Sequence, residues 1–196
     1  LGDIYVDDAF SCSHRAHASV EAIARLMPAY AGMAMMAEIN ALSAALEEPK
    51  RPVVAVVGGA KVSTKIEVLT NLAQRMDMIV VGGGMANTFL FADGIDVGKS
   101  LCEPDFVETV KEITEKAKAS GCEIVLPVDV VVADSLAEGV DTSVCGVDEI
   151  PANALALDWG PGSVASLHEK LKGAHTILWN GPLGAFEIAP FGEATF

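Results

Sequence analysis

The chain is poor in positive charge. Thirteen lysines and arginines stand against 27 aspartates and glutamates, a formal net charge of -14 in 196 residues. Nucleic acids are held mainly through clustered Lys and Arg on their phosphates, so a chain with a sequence pI near 4.5 is not built to bind them. Long apolar runs are missing too. No stretch approaches the ~20 residues of a membrane-crossing helix. The opening residues, LGDIYVDDAF, lack the basic start of a signal peptide, so no membrane association is expected. Cysteine is scarce: Cys12, Cys102, Cys122 and Cys145 are widely spaced and form no CxxC pair. That excludes the common zinc and redox motifs and leaves reduced thiols as the expectation. A small anionic ligand remains open to so acidic a chain, because a few local cations suffice to define its site.

Apolar residues are plentiful, at 51% of the chain with a mean hydropathy of +0.39, ample for a core. Short Val/Ile/Leu runs at 53–57, 78–81, 123–126, 128–132 and 176–179 show no polar alternation, as in strands buried on both faces of a parallel sheet. Helical spacing separates most of them. It runs through Val62, Ile66, Leu69, Ala73 and Met76, and again through Phe106, Val110, Ile113 and Ala117, with Pro104 at the start and Gly121 at the stop. A third helix is expected over 163–173, with Ser163 as N-cap and Gly173 at its end. The pattern predicts an α/β fold, an open and mostly parallel sheet flanked by helices in a Rossmann-like three-layer arrangement.

The first fifty residues differ. From Ala29 to Glu48 the sequence predicts one Ala/Met-rich helix bounded by Pro28 and Pro49, a connecting element between domains. The division is therefore 1–28, the remnant of one domain; 29–50, the connecting helix; and 51–196, an α/β domain. The stretch 134–150 carries three Asp, two Glu and no Lys or Arg, and reads as a solvated loop or edge hairpin.

Chemistry concentrates at the glycine-rich turns, because ligands of open α/β sheets gather beyond the carboxyl ends of strands. Gly58-Gly59-Ala60-Lys61 follows the first buried run, with Lys65 four residues on. Two cations at the expected start of a helix oppose its dipole by roughly 0.3–1 kcal/mol, and a bound anion would reverse that account. Gly82-Gly83-Gly84 offers a flat backbone wall, but Asn87 stands where a GxGxxG fingerprint needs glycine, which argues against a nicotinamide-dependent oxidoreductase. Val97-Gly98-Lys99-Ser100 imitates the end of a Walker A motif, yet Asp93 occupies the position of its first glycine. The run Trp179-Asn180-Gly181-Pro182-Leu183-Gly184-Ala185-Phe186-Glu187 sets an amide and a carboxylate on a rigid frame. Glu187 is suited to accepting sugar hydroxyls, and Asn180 to a phosphate or a neighbouring turn. Near the start, His14 and His17 find no third ligand at matching spacing, so no protein-held metal is expected. Arg15 beside them makes an anion clamp.

In order, VVAVVGGAKVSTKIEVLTNL, IVVGGGMANTFL, VGKSL, LPVDVVVA, LDWGPGS and WNGPLGAFE resemble the phosphoglycerate kinases, and DIYVDDAF and HRAHAS are similar to the end of that family's N-terminal domain. The resemblance implies two α/β domains joined by a helix, a monomer, a cytoplasmic location and a glycolytic activity. That activity is reversible phosphoryl transfer between 1,3-bisphosphoglycerate and ADP, with ATP and ADP used as Mg2+ complexes. It assigns Gly59, Ala60, Lys61 and Lys65 to the nucleotide phosphates, the two lysines also serving catalysis. Gly84 and Ala156 go to the adenine pocket, Asn180 and Pro182 to nucleotide-side contacts, and Glu187 to the ribose. Arg15 and His14 go to the phosphoglycerate. Asp7, Ser11, Cys12 and Ser13 depart from the family's usual asparagine, glycine, threonine and alanine. Members run to roughly twice this length. The 196 residues are thus expected to be a fragment without most of the triose site or the final glycine-rich loop, one that holds a nucleotide without turnover.

Overall fold

The computed structural model describes residues 2–196, which fall into two compact units divided between Pro49 and Lys50. In the first, strand β1 (Tyr5–Asp7) pairs in parallel with β2 (Ala29–Ala31), Tyr5 opposite Ala29. Between them lie a 3₁₀ turn at Phe10–Cys12, a π turn at Ala18–Ala22 and the short helix α1 (Ile23–Leu26). Helix α2 runs Met33–Leu46.

The single helix expected over 29–48 is therefore corrected at its start. Residues 29–31 are strand because they find a partner the local sequence does not reveal, with Tyr5 N–H donating to Pro28 O (2.9 Å) and Gly32 N–H to Asp7 O (2.7 Å). The start of α2 is set from a distance as well. The Asp8 carboxylate accepts from Met35 N–H (2.9 Å), doing for one unpaired amide what an N-cap side chain does.

The second unit holds two sheets. The four-stranded sheet has the order β5-β4-β3-β9 and is wholly parallel: β3 Val53–Gly58, β4 Met78–Gly82, β5 Glu123–Val125 and β9 Thr176–Asn180. Every residue of β3 is buried, as its unalternating apolar run requires. Strand β9 is an edge, and the expectation that it is covered on both faces fails, since Ile177 and Trp179 are 47% and 46% exposed.

The run 128–132 is also corrected. As β6 (Asp129–Ala133) it leaves the parallel sheet and pairs antiparallel with β7 (Ser143–Gly146) and β8 (Leu155–Trp159). Apolar content alone does not tell a parallel strand from an antiparallel one whose exposed face is covered by a helix. Here α4 (Gly83–Ala92) supplies Leu90 to a core with Val130, Val132, Val147 and Ile150. The acidic stretch is a loop followed by β7, the edge hairpin expected.

Helix α5 (Val107–Ala119) buries Val110, Ile113 and Ala117, and it stops before Gly121 at φ +74°, as read from the sequence. Helix α6 begins earlier than expected, spanning Pro161–Leu171 with Gly160 as N-cap. Ser163 is not the cap. It lies inside the first turn, 2% exposed, and its hydroxyl serves the backbone of β6. A second core joins Val54, Val56 and Val80 of the parallel sheet to Trp159, Leu167 and Leu183. Helix α3 is the shortest departure: the pattern over 62–76 resolves into a 3₁₀ turn at Val62–Thr64 and only seven helical residues, Ile66–Leu72.

Candidate functional site

Strand order places β3 at a switch point, with the chain proceeding from it to β4 on one side while β9 returns on the other. Ligand crevices of open sheets form there, beyond the carboxyl ends. The turns after β3, β4 and β9 pack against one another there backbone to backbone. A Cβ on Gly58 would stand 1.7 Å from Pro182 O, and one on Gly181 (φ +104°) would stand 2.2 Å from Gly58 O. These two glycines thus serve turn-on-turn packing rather than contact with a ligand. The turns are also stitched by Gly83 N–H to Leu183 O (2.8 Å), Met85 N–H to Gly59 O (3.1 Å) and Ala185 N–H to Leu157 O (2.8 Å).

The stitched turns enclose a cleft of about 480 Å³ with mainly apolar walls. Six residues named from the sequence meet in it: Gly59, Ala60, Gly84, Ala156, Pro182 and Glu187. Apolar walls with one carboxylate suit a flat ring and a hydroxylated sugar better than a fully charged ligand. Another hollow, about 550 Å³ beside the acidic hairpin, includes Asp134 and Asp141 and no basic residue, so it does not suit an anion.

Lys65 departs from the picture of a cation facing a helix dipole. Its Nζ turns back to the strand ends and donates to Gly58 O (2.8 Å), Asn180 O (3.0 Å) and Asn180 Oδ1 (2.7 Å). It therefore bridges two adjacent parallel strands whose Val57 and Asn180 are paired. Carbonyl dipoles, not N–H groups, surround the ammonium. Partial burial moves its pKa below the ordinary lysine value. A Cβ on Gly59 would lie 3.9 Å from this Nζ, so the cation neighbours Gly59 of the cleft wall, although Lys65 does not itself line the cleft. Lys61 is exposed in extended backbone, and its charge acts on Glu103.

His14 and Arg15 lie in the first unit, both exposed, in the turn after Phe10–Cys12, where Arg15 N–H donates to Cys12 O (3.0 Å). No group of three or more His, Cys, Asp or Glu arranged to hold a metal occurs among the described residues.

Sequence reading missed the other walls. Leu101, Leu136 and Phe186 line the cleft while 50%, 50% and 37% exposed. Leu136 carried one signal, an isolated large apolar side chain within an acidic stretch. Glu103 carried none, because its partner Ser63 is 40 residues away.

The model of the phosphoglycerate kinase family matches residues 1–196. A phosphoglycerate kinase of Sinorhizobium fredii is 60% identical over 194 residues, 99% of this chain and 49% of that protein. One of Caulobacter vibrioides is 57% identical over the same share. The solved phosphoglycerate kinase of Coxiella burnetii superposes with a TM-score of 0.91 at 46% identity, over all of this chain and 50% of its own. That of Pyrococcus horikoshii gives 0.84 at 30% identity, over 98% of this chain and 49% of its own. The chain spans about half the length of the curated relatives it matches. On agreement that runs from its first residue to its last, the chain belongs to the phosphoglycerate kinase family.

Proposed function

We propose that residues 50–196 form the nucleotide-binding part of a phosphoglycerate kinase, which moves a phosphoryl group between 1,3-bisphosphoglycerate and ADP to give 3-phosphoglycerate and ATP. The observation that carries this reading is the cleft itself. An apolar slot is lined by Gly84, Ala156 and Pro182, with a carboxylate, Glu187, in its wall and a carbonyl-bound ammonium, Lys65, beside Gly59.

In this reading the base stacks against the Gly84 and Ala156 walls, and Glu187 accepts from the ribose hydroxyls. The phosphates reach Gly59 and Ala60. Lys65 exchanges part of its carbonyl shell for phosphate oxygen, and Asn180, already within its reach, follows. Lys61 is extended and exposed and takes the transferring group. Phosphoryl transfer asks for positioning and charge stabilisation rather than a protein nucleophile, so two ammonium groups suffice for this half of the work. Magnesium enters as part of the nucleotide substrate, held by its phosphates. Residues 1–49 supply Arg15 and His14 for the phosphoglycerate, with α2 as the connecting helix, shorter than the 29–50 span expected. The protein acts in the cytoplasm as a monomer on small molecules alone.

Calorimetry with MgADP on the 196-residue chain tests the reading. Lys65→Met removes a charged donor, and such bonds contribute about 1.5–3 kcal/mol. Affinity should fall between about 10- and 150-fold while far-UV circular dichroism is unchanged. Equal affinity in parent and variant would remove Lys65 from the site. A coupled assay separates binding from catalysis. Because the chain matches only half of its relatives, binding without turnover is the expected outcome.

A further inference from the structure

The cation-bearing turn is anchored by fully buried Val62 but has few hydrogen bonds of its own to orient it. Between Lys61 and Lys65 the local hydrogen bonds are Lys65 N–H to Val62 O (2.8 Å) and Thr64 Oγ1 to Lys61 O (2.8 Å), followed by a helix of only seven residues. Ser63 stands midway, two residues from each lysine, and it is gripped from outside. Its N–H donates to Glu103 Oε2 (2.9 Å) and its hydroxyl to Glu103 Oε1 (2.7 Å). Two donors on two oxygens of one carboxylate fix orientation as well as position.

Glu103 is itself tied to the cleft wall. Its N–H donates to the hydroxyl of fully buried Thr88 (3.1 Å), and that hydroxyl donates to Gly84 O (3.2 Å). Two residues upstream, Leu101 O accepts from Asn87 Nδ2 (3.2 Å), and both of these residues line the cleft. One network therefore runs from the cleft walls, through Glu103, to the turn between the lysines.

We infer that Glu103 is a positioning residue: its carboxylate clamps Ser63 and so sets Lys61 and Lys65 for a polyphosphate at the Gly59 end of the cleft. The inference rests on the nucleotide reading above. Burial raises the carboxyl pKa, but the Ser63 N–H and hydroxyl, with Lys61, outweigh it and hold the group below the usual glutamate value, so the clamp is anionic at neutral pH. A related grip occurs where Asp129 Oδ1 accepts both the N–H and the hydroxyl of Ser163 in α6, while Oδ2 takes Gly162 N–H. The residues beside Ser163 carry no charge, and its hydroxyl also accepts from Val128 N–H and Asp129 N–H, so that grip ties α6 to the start of β6. At Ser63 the gripped residue is flanked by the two cations.

The sign of the effect makes the inference testable. On electrostatic grounds alone, removing an anion beside a polyphosphate site strengthens phosphate binding, so a loss of affinity marks lost positioning. Glu103→Gln keeps the shape but offers one acceptor oxygen, and Ser63→Ala keeps the charge but drops the hydroxyl bond. Titrated with MgADP and with adenosine, both variants should lose about tenfold for MgADP and less than twofold for adenosine. The double variant should be no worse than the poorer single one. Hydrogen exchange should quicken at residues 61–65 in Glu103→Gln and stay unchanged in β3. MgADP affinity that is unchanged or raised, equal losses for MgADP and adenosine, or unaltered exchange at 61–65 would each overturn the clamp. Quickened exchange in Glu103→Gln, together with a parent chain that binds no nucleotide, would overturn the reading it serves, and the role assigned to the clamp with it.

Discussion

Asp158 offers a pH experiment whose size follows from its surroundings. The residue ends β8 but for Trp159, is 3% exposed, and receives Trp159 N–H (2.9 Å, Oδ1) and Ala194 N–H (3.2 Å, Oδ2). Burial dominates over these two donors, and the charge of Glu193 adds to it, so the carboxyl is pushed from 3.8 up to about 6. A folded state with the higher pKa binds the proton more readily than the unfolded chain. Its contribution to stability is thus fully present below about pH 4 and is lost as pH rises through 6. Integrating between those values, acidification from pH 7 to pH 5 stabilises the second unit through this group alone by roughly 1.3 kcal/mol. Asp158→Asn abolishes that gain. It also leaves one of two buried N–H groups facing an amide NH2, a cost of about 1–3 kcal/mol at any pH. The pH dependence, not the absolute loss, is therefore diagnostic. Urea unfolding followed by tryptophan fluorescence reads the correct unit, because both tryptophans, Trp159 and Trp179, lie in it. The parent-minus-variant difference should be larger at pH 5 than at pH 7 by about 1 kcal/mol or more. An identical difference at the two pH values would refute the argument.

Three other substitutions probe the frame. Gly58→Ala puts a methyl group 1.7 Å from a backbone oxygen that cannot swing away, so thermal unfolding should show a loss of about 3 kcal/mol or more. Gly173→Ala, whose added carbon lies 3.8 Å from Lys170 O, should stay within about 0.5 kcal/mol of the parent. Ser163→Ala strands the N–H groups of Val128 (2.9 Å) and Asp129 (3.0 Å), and chemical denaturation should register a loss of about 2–3 kcal/mol.

The glycine-rich turns were legible because their chemistry is local. A double or triple glycine after a Val/Ile run admits few explanations, and Gly59, Ala60, Gly84, Ala156, Pro182 and Glu187 do meet in one cleft. Helix α5 was legible for the same reason, its proline, apolar stripe and terminal glycine lying within one short stretch. Strand β6 was misplaced because pairing direction is not written in the strand. It depends on which partners the turns at either end make available.

The sequence by itself determined the strands of the parallel sheet and helix α5, where the backbone can turn sharply, and that few cations were available for an anion site, but not that residues 29–31 are strand. Only the tertiary structure decided what those cations face. Lys65 lies among the carbonyls of β3 and β9, Ser63 in the grip of Glu103, and Asp158 out of reach of water. Each of these depends on groups distant along the chain. A residue's own neighbours fix its conformational preferences, but its electric environment is set by whichever strand ends and loops the topology brings beside it.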